Sequence, residues 1–219
     1  MAAPIVDIQG LHVAFSGKEV VHDFNLSIHP GEIVSVVGES GSGKSVSALL
    51  SMGLLAPSAE VRASKAHFQG RDLLSFTPSD WAQFRSTAVA MVFQDPMTAL
   101  HPTKRIGTQL AEVLQQHTAL SPTEIQARIT QALEEVEVPE PALSLEKYPF
   151  QMSGGQRQRV VIAMAMLLEP ALIIADEPTT ALDKEVEGKV LDLLRRLVTK
   201  RGTALWLISH DLELVADFS

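Results

Sequence analysis

A chain of 219 residues suffices for one large domain, or for a core carrying a subdomain. Hydrophobic residues at 46% and charged ones at 20% provide a sizeable core and exclude wholesale disorder. Eighteen Lys and Arg against 26 Asp and Glu leave a charge of −8, wrong for a general nucleic-acid binder, and the lack of cysteine excludes disulfides, thiolate zinc sites and cysteine nucleophiles.

The N-terminus, Met1-Ala2-Ala3-Pro4, lacks the basic region and apolar run of a signal peptide. The longest apolar stretch, Val160 to Leu168, is far short of the roughly 20 residues that a membrane span needs. The expectation is a soluble, cytosolic chain whose membrane role, if any, comes through a partner.

The first forty residues read as strands. Ile5, Val6, Ile8, Leu11 and Val13 precede a turn at Ser16-Gly17-Lys18, and Asn25 to Ile28 alternate before a second turn at His29-Pro30-Gly31. Ile33 to Val37 is a short buried strand ending at Gly38, followed by a Gly/Ser stretch and helical composition from Ser45 to Leu55. Trp81 to Arg85 and Ile106 to Gln116 read as helices. Another starts at Ser121-Pro122-Thr123-Glu124, with Ser as cap, and runs from Glu124 to about Val138. Leu172 to Ala175 is a second buried strand. Val186, Val190, Leu193, Leu194 and Leu197 fall at helical spacing, ended by Gly202, and Ala204 to Ile208 form a third strand. Strands alternating with helices imply a parallel sheet, with ligands at its carboxyl edge. Arg195-Arg196 and Lys200-Arg201 read as a solvated helix face.

Gly38-Glu39-Ser40-Gly41-Ser42-Gly43-Lys44-Ser45 fits G-x-x-x-x-G-K-[ST] between a strand and a helix. Its glycines let successive N–H groups curl around phosphate oxygens. Lys44 reaches the β- and γ-phosphates, and the Ser45 hydroxyl is placed to ligate Mg²⁺. The helix beginning near Lys44 adds its positive end. At the end of the second buried strand stand Asp176 and Glu177. Asp176 sits where a Mg²⁺-holding aspartate belongs, while Glu177 falls on the other face of the strand end, as a candidate general base.

Met152-Ser153-Gly154-Gly155-Gln156 precedes an apolar helix from about Gln156 to Leu168. Ser153 and Gln156 form a capping box, which by itself needs no ligand. Two glycines, poor helix starters, leave the first N–H groups uncovered for a phosphate. One nucleotide rarely needs two such ends from one chain, so a second copy is expected to meet this one.

The phosphate loop, Ser153-Gly154-Gly155-Gln156 and Ile173-Ile174-Ala175-Asp176-Glu177-Pro178-Thr179-Thr180-Ala181-Leu182-Asp183, in that order, resemble the nucleotide-binding subunit of an ATP-binding cassette (ABC) transporter. The resemblance covers essentially the whole chain. It implies an α/β P-loop NTPase (RecA-like) core with an N-terminal antiparallel β region and an inserted α-helical subdomain, divided as residues 1–94, 95–168 and 169–219. It implies two cassettes packed head to tail, each ATP lying between one phosphate loop and the opposite Met152–Gln156 signature, here with Met152 where Leu is usual. Asp176 becomes the magnesium aspartate, and Glu177 the catalytic glutamate. Gln94 matches the glutamine whose loop senses Mg²⁺ and touches the membrane partner. Thr180 to Asp183 match a loop crossing the dimer interface, with Thr180 where Ser is commoner. His210 matches the switch histidine on the γ-phosphate, and Phe15 an aromatic ring that stacks on adenine.

Taken alone, Gln94 is equally an ordinary surface amide, His210 a cap on a sheet edge, and Phe15 plain core. Phe93 to Pro102 and Tyr148 to Ser153 resemble importers of peptides and nickel, the oligopeptide/dipeptide group. The resemblance therefore implies ATP, Mg²⁺, permease subunits, an indirect link to a substrate-binding protein, no nucleic acid, and a peripheral place on the cytoplasmic face of the inner membrane. Such members extend well past the switch histidine, so the end at Ser219 reads as truncated. A non-hydrolysing ATP-gated clamp and a DNA-repair or chromosome ATPase are the alternatives. The first is disfavoured by the presence of Glu177, His210 and the signature, the second by the lack of sustained heptads between Lys44 and Asp176.

Overall fold

The computed structural model describes residues 3–39, 41–180, 182–212 and 215. The chain opens with strands β1 (Val6–Phe15) and β2 (Lys18–Ile28), an antiparallel hairpin. Ser16 and Gly17 both have positive φ, which suits a two-residue turn between right-twisted strands. The apolar positions of β1 change phase, Val6 and Ile8 first, then Leu11 and Val13. Irregular register between Ile8 and Leu11, with Gly10 at φ 58°, resets the alternation so that all four stay buried.

Strand β3 (Ile33–Val37) leads through the glycine-rich loop into helix α1 (Lys44–Ser51). Next come β4 (Ala59–Arg62), β5 (Lys65–Phe68) and β6 (Arg71–Asp72), which join β1 and β2 in a five-stranded antiparallel sheet. These three were not expected; at two to four residues each they are too short for periodicity to register. Helix α2 (Pro78–Thr87) starts at a Thr77–Asp80 capping box and precedes β7 (Val89–Val92), a strand also not expected from its four residues.

Between β7 and β8 the chain is helical: α3 (Pro96–Ala99), α4 (Ile106–His117), α5 (Pro122–Glu135), α6 (Pro141–Leu145), a 3₁₀ turn at Pro149–Gln151, and α7 (Gly154–Met166). The Ser121–Glu124 box caps α5 as expected, though the helix closes at Glu135 rather than Val138. Strand β8 (Leu172–Asp176), helix α8 (Lys184–Arg201) and strand β9 (Ala204–Ser209) follow.

The second sheet is parallel, in the order β3-β9-β8-β7. Its central strands are covered on both faces, which is why they read as unbroken apolar runs. Ile173 and Ala175 of β8, with Leu205 and Leu207 of β9, pack into a core shared with α4, α5, α7 and α8. Leu172, Ile174, Trp206 and Ile208 face a second core shared with the antiparallel sheet. Each such Leu or Ile side chain stabilises the fold by about 1.5–3 kcal/mol on burial. Among the described residues, no helix is long and apolar enough to cross a membrane.

The basic face of α8 departs from expectation. Arg195, Arg196 and Lys200 are exposed, but Arg201 folds back, donating 2.9 Å to the Met166 carbonyl and pairing with Glu135. Helix α8 is thereby tied to the ends of α5 and α7.

Candidate functional site

All four parallel strands end at one edge of their sheet, and each delivers one component there. After β3 comes the glycine-rich loop, after β7 Gln94, at the end of β8 Asp176 and Glu177, and after β9 His210. A cavity of about 320 Å³ lies at this edge, and Phe15, Lys44, Ser45, Gln94, Asp176 and Glu177 all line it.

The loop follows the expected logic, with an added constraint. Gly43 is the N-cap of α1 at φ 89°, and a Cβ there would sit 2.5 Å from the Val20 carbonyl oxygen and 2.9 Å from Val21. Only glycine admits both that conformation and that approach to β2. No side chain caps α1 and no acid stands in its first turn, so its first amides are left for a ligand. Lys44, 8% exposed, donates its ammonium to the Gly38 and Glu39 carbonyls, at 2.7 Å each, and to Ser42 Oγ at 3.4 Å. A cation held inside the loop by carbonyls is poised to transfer to a stronger anionic acceptor. Gly41 lines the cavity, whereas Ser40 lies outside the described residues.

Ser45 Oγ donates to Asp176 Oδ1 at 3.0 Å. Burial pushes the Asp176 carboxyl above the usual aspartate range and the nearby charge of Glu177 adds to this; the Ser45 hydrogen bond and Lys44 oppose the shift. A hydroxyl and a carboxylate side by side are hard oxygen donors of the kind Mg²⁺ takes, with phosphate and water completing its shell.

Glu177 is placed differently from the expectation. Its φ of 47° kinks the chain just past β8, so both acids line one cavity instead of opposite faces. Its N–H still bonds the Ile208 carbonyl at 2.9 Å, anchoring the kink to β9. One oxygen, Oε2, accepts from Gln94 Nε2 at 3.3 Å and Thr180 Oγ1 at 3.0 Å, and lies 3.2 Å from His210 Nδ1. The other oxygen, Oε1, has no hydrogen-bond partner among the described residues. Two hydrogen bonds thus hold Oε2, with the His210 ring beside it.

Gln94, His210 and Phe15 each have a definite place in the fold. Gln94 is exposed, yet bonded to Glu177. His210 directly follows the inner strand β9 and its Nδ1 lies 3.2 Å from Glu177 Oε2. Phe15 both lines the cavity and packs on the second core. The contact of Thr180 with Glu177 is not part of the sequence expectation; its signal is the three-residue spacing in a tight turn, closed by Thr180 N to Glu177 O at 3.4 Å.

The Met152–Gln156 segment is elsewhere. Ser153, Gly154, Gly155 and Gln156 do not line the cavity, and neither does Asp183, whose side chain caps α8 by accepting from Val186 N at 3.0 Å. Ser153 and Gln156 satisfy each other's amides at 3.2 and 3.0 Å. Contrary to expectation the helix begins at Gly154 itself, and Gly155 has a packing reason: a Cβ there would lie 2.6 Å from Val186 Cγ1.

Known proteins resemble this chain in sequence and in fold. The ABC transporter family model matches residues 21–180. The probable D,D-dipeptide transport ATP-binding protein DdpD of Escherichia coli is 46% identical over 99% of this chain and 67% of its own length. The oligopeptide transport ATP-binding protein OppD of Haemophilus influenzae is 43% identical over 97% of this chain and 67% of its own. The chain thus spans about two thirds of the length of these relatives. The ATP-binding cassette MJ0796, solved as a dimer in a post-hydrolysis state with ADP and Pi, superposes with a TM-score of 0.79 at 27% identity, covering 95% of this chain and 89% of that one. With the family model matched across most of the chain and the phosphate loop, acid pair and histidine gathered at one sheet edge, the chain belongs to the ABC transporter family.

Proposed function

We propose that this chain is the ATP-binding and hydrolysing subunit of an importer for peptides or a related small solute, acting as a head-to-tail pair of cassettes. The observation that carries the reading is the carboxylate of Glu177, fixed through Oε2 at the mouth of a cavity that also holds Lys44, Ser45 and Asp176. Peptide transport names the relatives DdpD and OppD, and supports that class of cargo here.

In this reading Phe15 supports the nucleobase, while Lys44 and the uncapped start of α1 take the phosphates. Ser45, Asp176 and Gln94 would hold Mg²⁺, which supplies charge neutralisation on the phosphates when bound. Glu177 takes a proton from the attacking water on Oε1, and His210 and Gln94 hold Oε2 in place. The amides of Gly154 and Gly155, left over by the Ser153–Gln156 box, serve the nucleotide of the partner cassette, and Asp183 lies on the crossing loop. A groove of about 260 Å³ lined by Met52, Leu54, Met91, Phe93 and Leu168 supports docking of a permease subunit. Phe93 lies in that groove and its neighbour Gln94 touches Glu177, so consecutive residues join the permease face to the base.

The test is a two-cassette assembly with permease and binding protein in vesicles, read by peptide-stimulated ATP hydrolysis. Glu177→Gln should keep ATP and lose about 10²–10⁴-fold in turnover, with the closed pair accumulating. One copy carrying Ser153→Arg beside one carrying Glu177→Gln should leave one composite site intact, because both defects fall on the other. Wild-type turnover by Glu177→Gln refutes the base, and loss at both sites in the mixed assembly refutes head-to-tail sharing.

A further inference from the structure

Helix α7 carries a charge that its own stability does not explain. Arg157 lies one turn inside the helix, four residues after Ser153, on the same face. A cation near a helix N-terminus opposes the macrodipole, and no acid in the first turn offsets it. The guanidinium Nε–H is buried and without a hydrogen-bond partner among the described residues, and so are both amide atoms of the next residue, Gln158. Three of the five such atoms therefore sit on two consecutive residues directly behind the Ser153 cap. Concentrated unsatisfied polarity of this kind marks a place where folding gives way to function.

Arg157 reaches back toward the start of the helix, the direction in which helical side chains lean. Its Nη1 donates to the Met152 carbonyl at 2.8 Å and to the Pro149 carbonyl at 3.4 Å. Those two carbonyls bracket the 3₁₀ turn that delivers the chain to Ser153. Within the turn, Gln151 N bonds Tyr148 O at 2.9 Å, Met152 N bonds Pro149 O at 3.1 Å and Tyr148 N bonds Gln151 Oε1 at 2.8 Å, while the Tyr148 side chain meets Arg105. None of these fixes the turn relative to the helix axis. Pro149 and Met152 are both buried and the Ser153–Gln156 box links the end of the turn to α7; Arg157 adds bonds from that helix to both turn carbonyls.

We infer that Arg157 is the positioning residue of the Ser153 cap: it locks the Pro149–Met152 turn onto α7 and so aims the free amides of Gly154 and Gly155 at the partner's phosphate. The inference rests on the head-to-tail reading for its functional half. Its structural half, the locking of the turn, stands without it.

The experiment compares Arg157→Met and Arg157→Lys with wild type in the full chain. Amide hydrogen exchange over residues 148–153 is the first readout. It should rise about tenfold or more in Arg157→Met, while exchange in β8 and β9 stays as in wild type. ATP affinity of the isolated chain should change by less than about twofold, because the phosphate loop is untouched. In the assembled transporter kcat should fall by about tenfold or more with KM little changed, and Arg157→Lys, which keeps one donor for Met152, should recover most of both protection and turnover. Arg157→Gln tests the same point should the Met variant fail to fold. Unchanged exchange at 148–153, or a Lys variant as defective as the Met variant, overturns the inference. Ser153→Arg runs in parallel: if it leaves turnover intact, the shared-site reading fails, while the exchange data still judge Arg157 on its own.

Discussion

The molecule has two helix beginnings suited to anions, and they are built in opposite ways. Helix α1 has no side-chain cap, a left-handed glycine at its N-cap and a buried lysine folded into the loop before it. Helix α7 has a complete Ser153–Gln156 box, and its nearest cation, Arg157, is turned back onto backbone carbonyls. The first lacks partners and is surrounded by charged and hard-oxygen groups from other strands. The second is largely satisfied, is exposed at Ser153 and lies outside the cavity that holds the two acids. Two helix starts flanked by glycines look alike in sequence. They differ in what the fold brings to them.

The largest expected effect tests the complete end. Lys44→Ala removes the only side-chain cation among the described residues lining the cavity, and should weaken Mg-nucleotide binding by about two orders of magnitude or more. Titration of the folded variant with a fluorescent nucleotide reads this, and wild-type affinity would break the distinction at its root. Ser153→Arg tests the other end. Binding by the isolated chain should hold within about twofold while turnover of the assembled transporter falls about 10²-fold. A comparable loss of binding in the isolated chain would show that both ends serve one nucleotide in one chain.

A smaller effect separates the packing role of the signature glycines from their ligand role. Gly155→Ala drives a methyl to 2.6 Å from Val186 Cγ1 and should cost about 1–3 kcal/mol, lowering Tm by roughly 2–4 °C per kcal/mol. Gly188→Ala within α8 meets nothing within 4 Å and should instead stabilise by about 0.5–1 kcal/mol. Thermal unfolding of both variants decides whether Gly155 is fixed by packing.

The smallest effect concerns pH. Asp176 has its carboxyl raised in the fold, chiefly by burial, so its protonated form is favoured there. Its contribution to stability is fully present below the unfolded value near 3.8 and is lost as pH rises through the folded value. Asp176→Asn should therefore make the nucleotide-free chain more stable at neutral pH, a gain that vanishes below about pH 3.8. Denaturant unfolding at pH 7 and at low pH checks the sign, and a less stable Asn variant at pH 7 would reverse it.

Features set by a few adjacent residues were legible in the sequence. The phosphate loop, the Ser121 and Ser153 boxes, the apolar run of β8 and the acids at its end all follow from short-range stereochemistry or from burial on both faces. Tertiary structure decided what those pieces meet. The order β3-β9-β8-β7 brings Gly38, Gln94, Glu177 and His210 to one edge, and no local pattern encodes which strand lies beside which. Strand β7, too short to announce itself, is what delivers Gln94. The left-handed kink at Glu177, held by Ile208, moved that carboxylate into the cavity with Asp176. Val186 against Gly155, Arg201 against Glu135 and Arg157 on the Met152 carbonyl were equally hidden. A residue type announces only what it can bond to, whereas packing of distant segments settles which bond it makes.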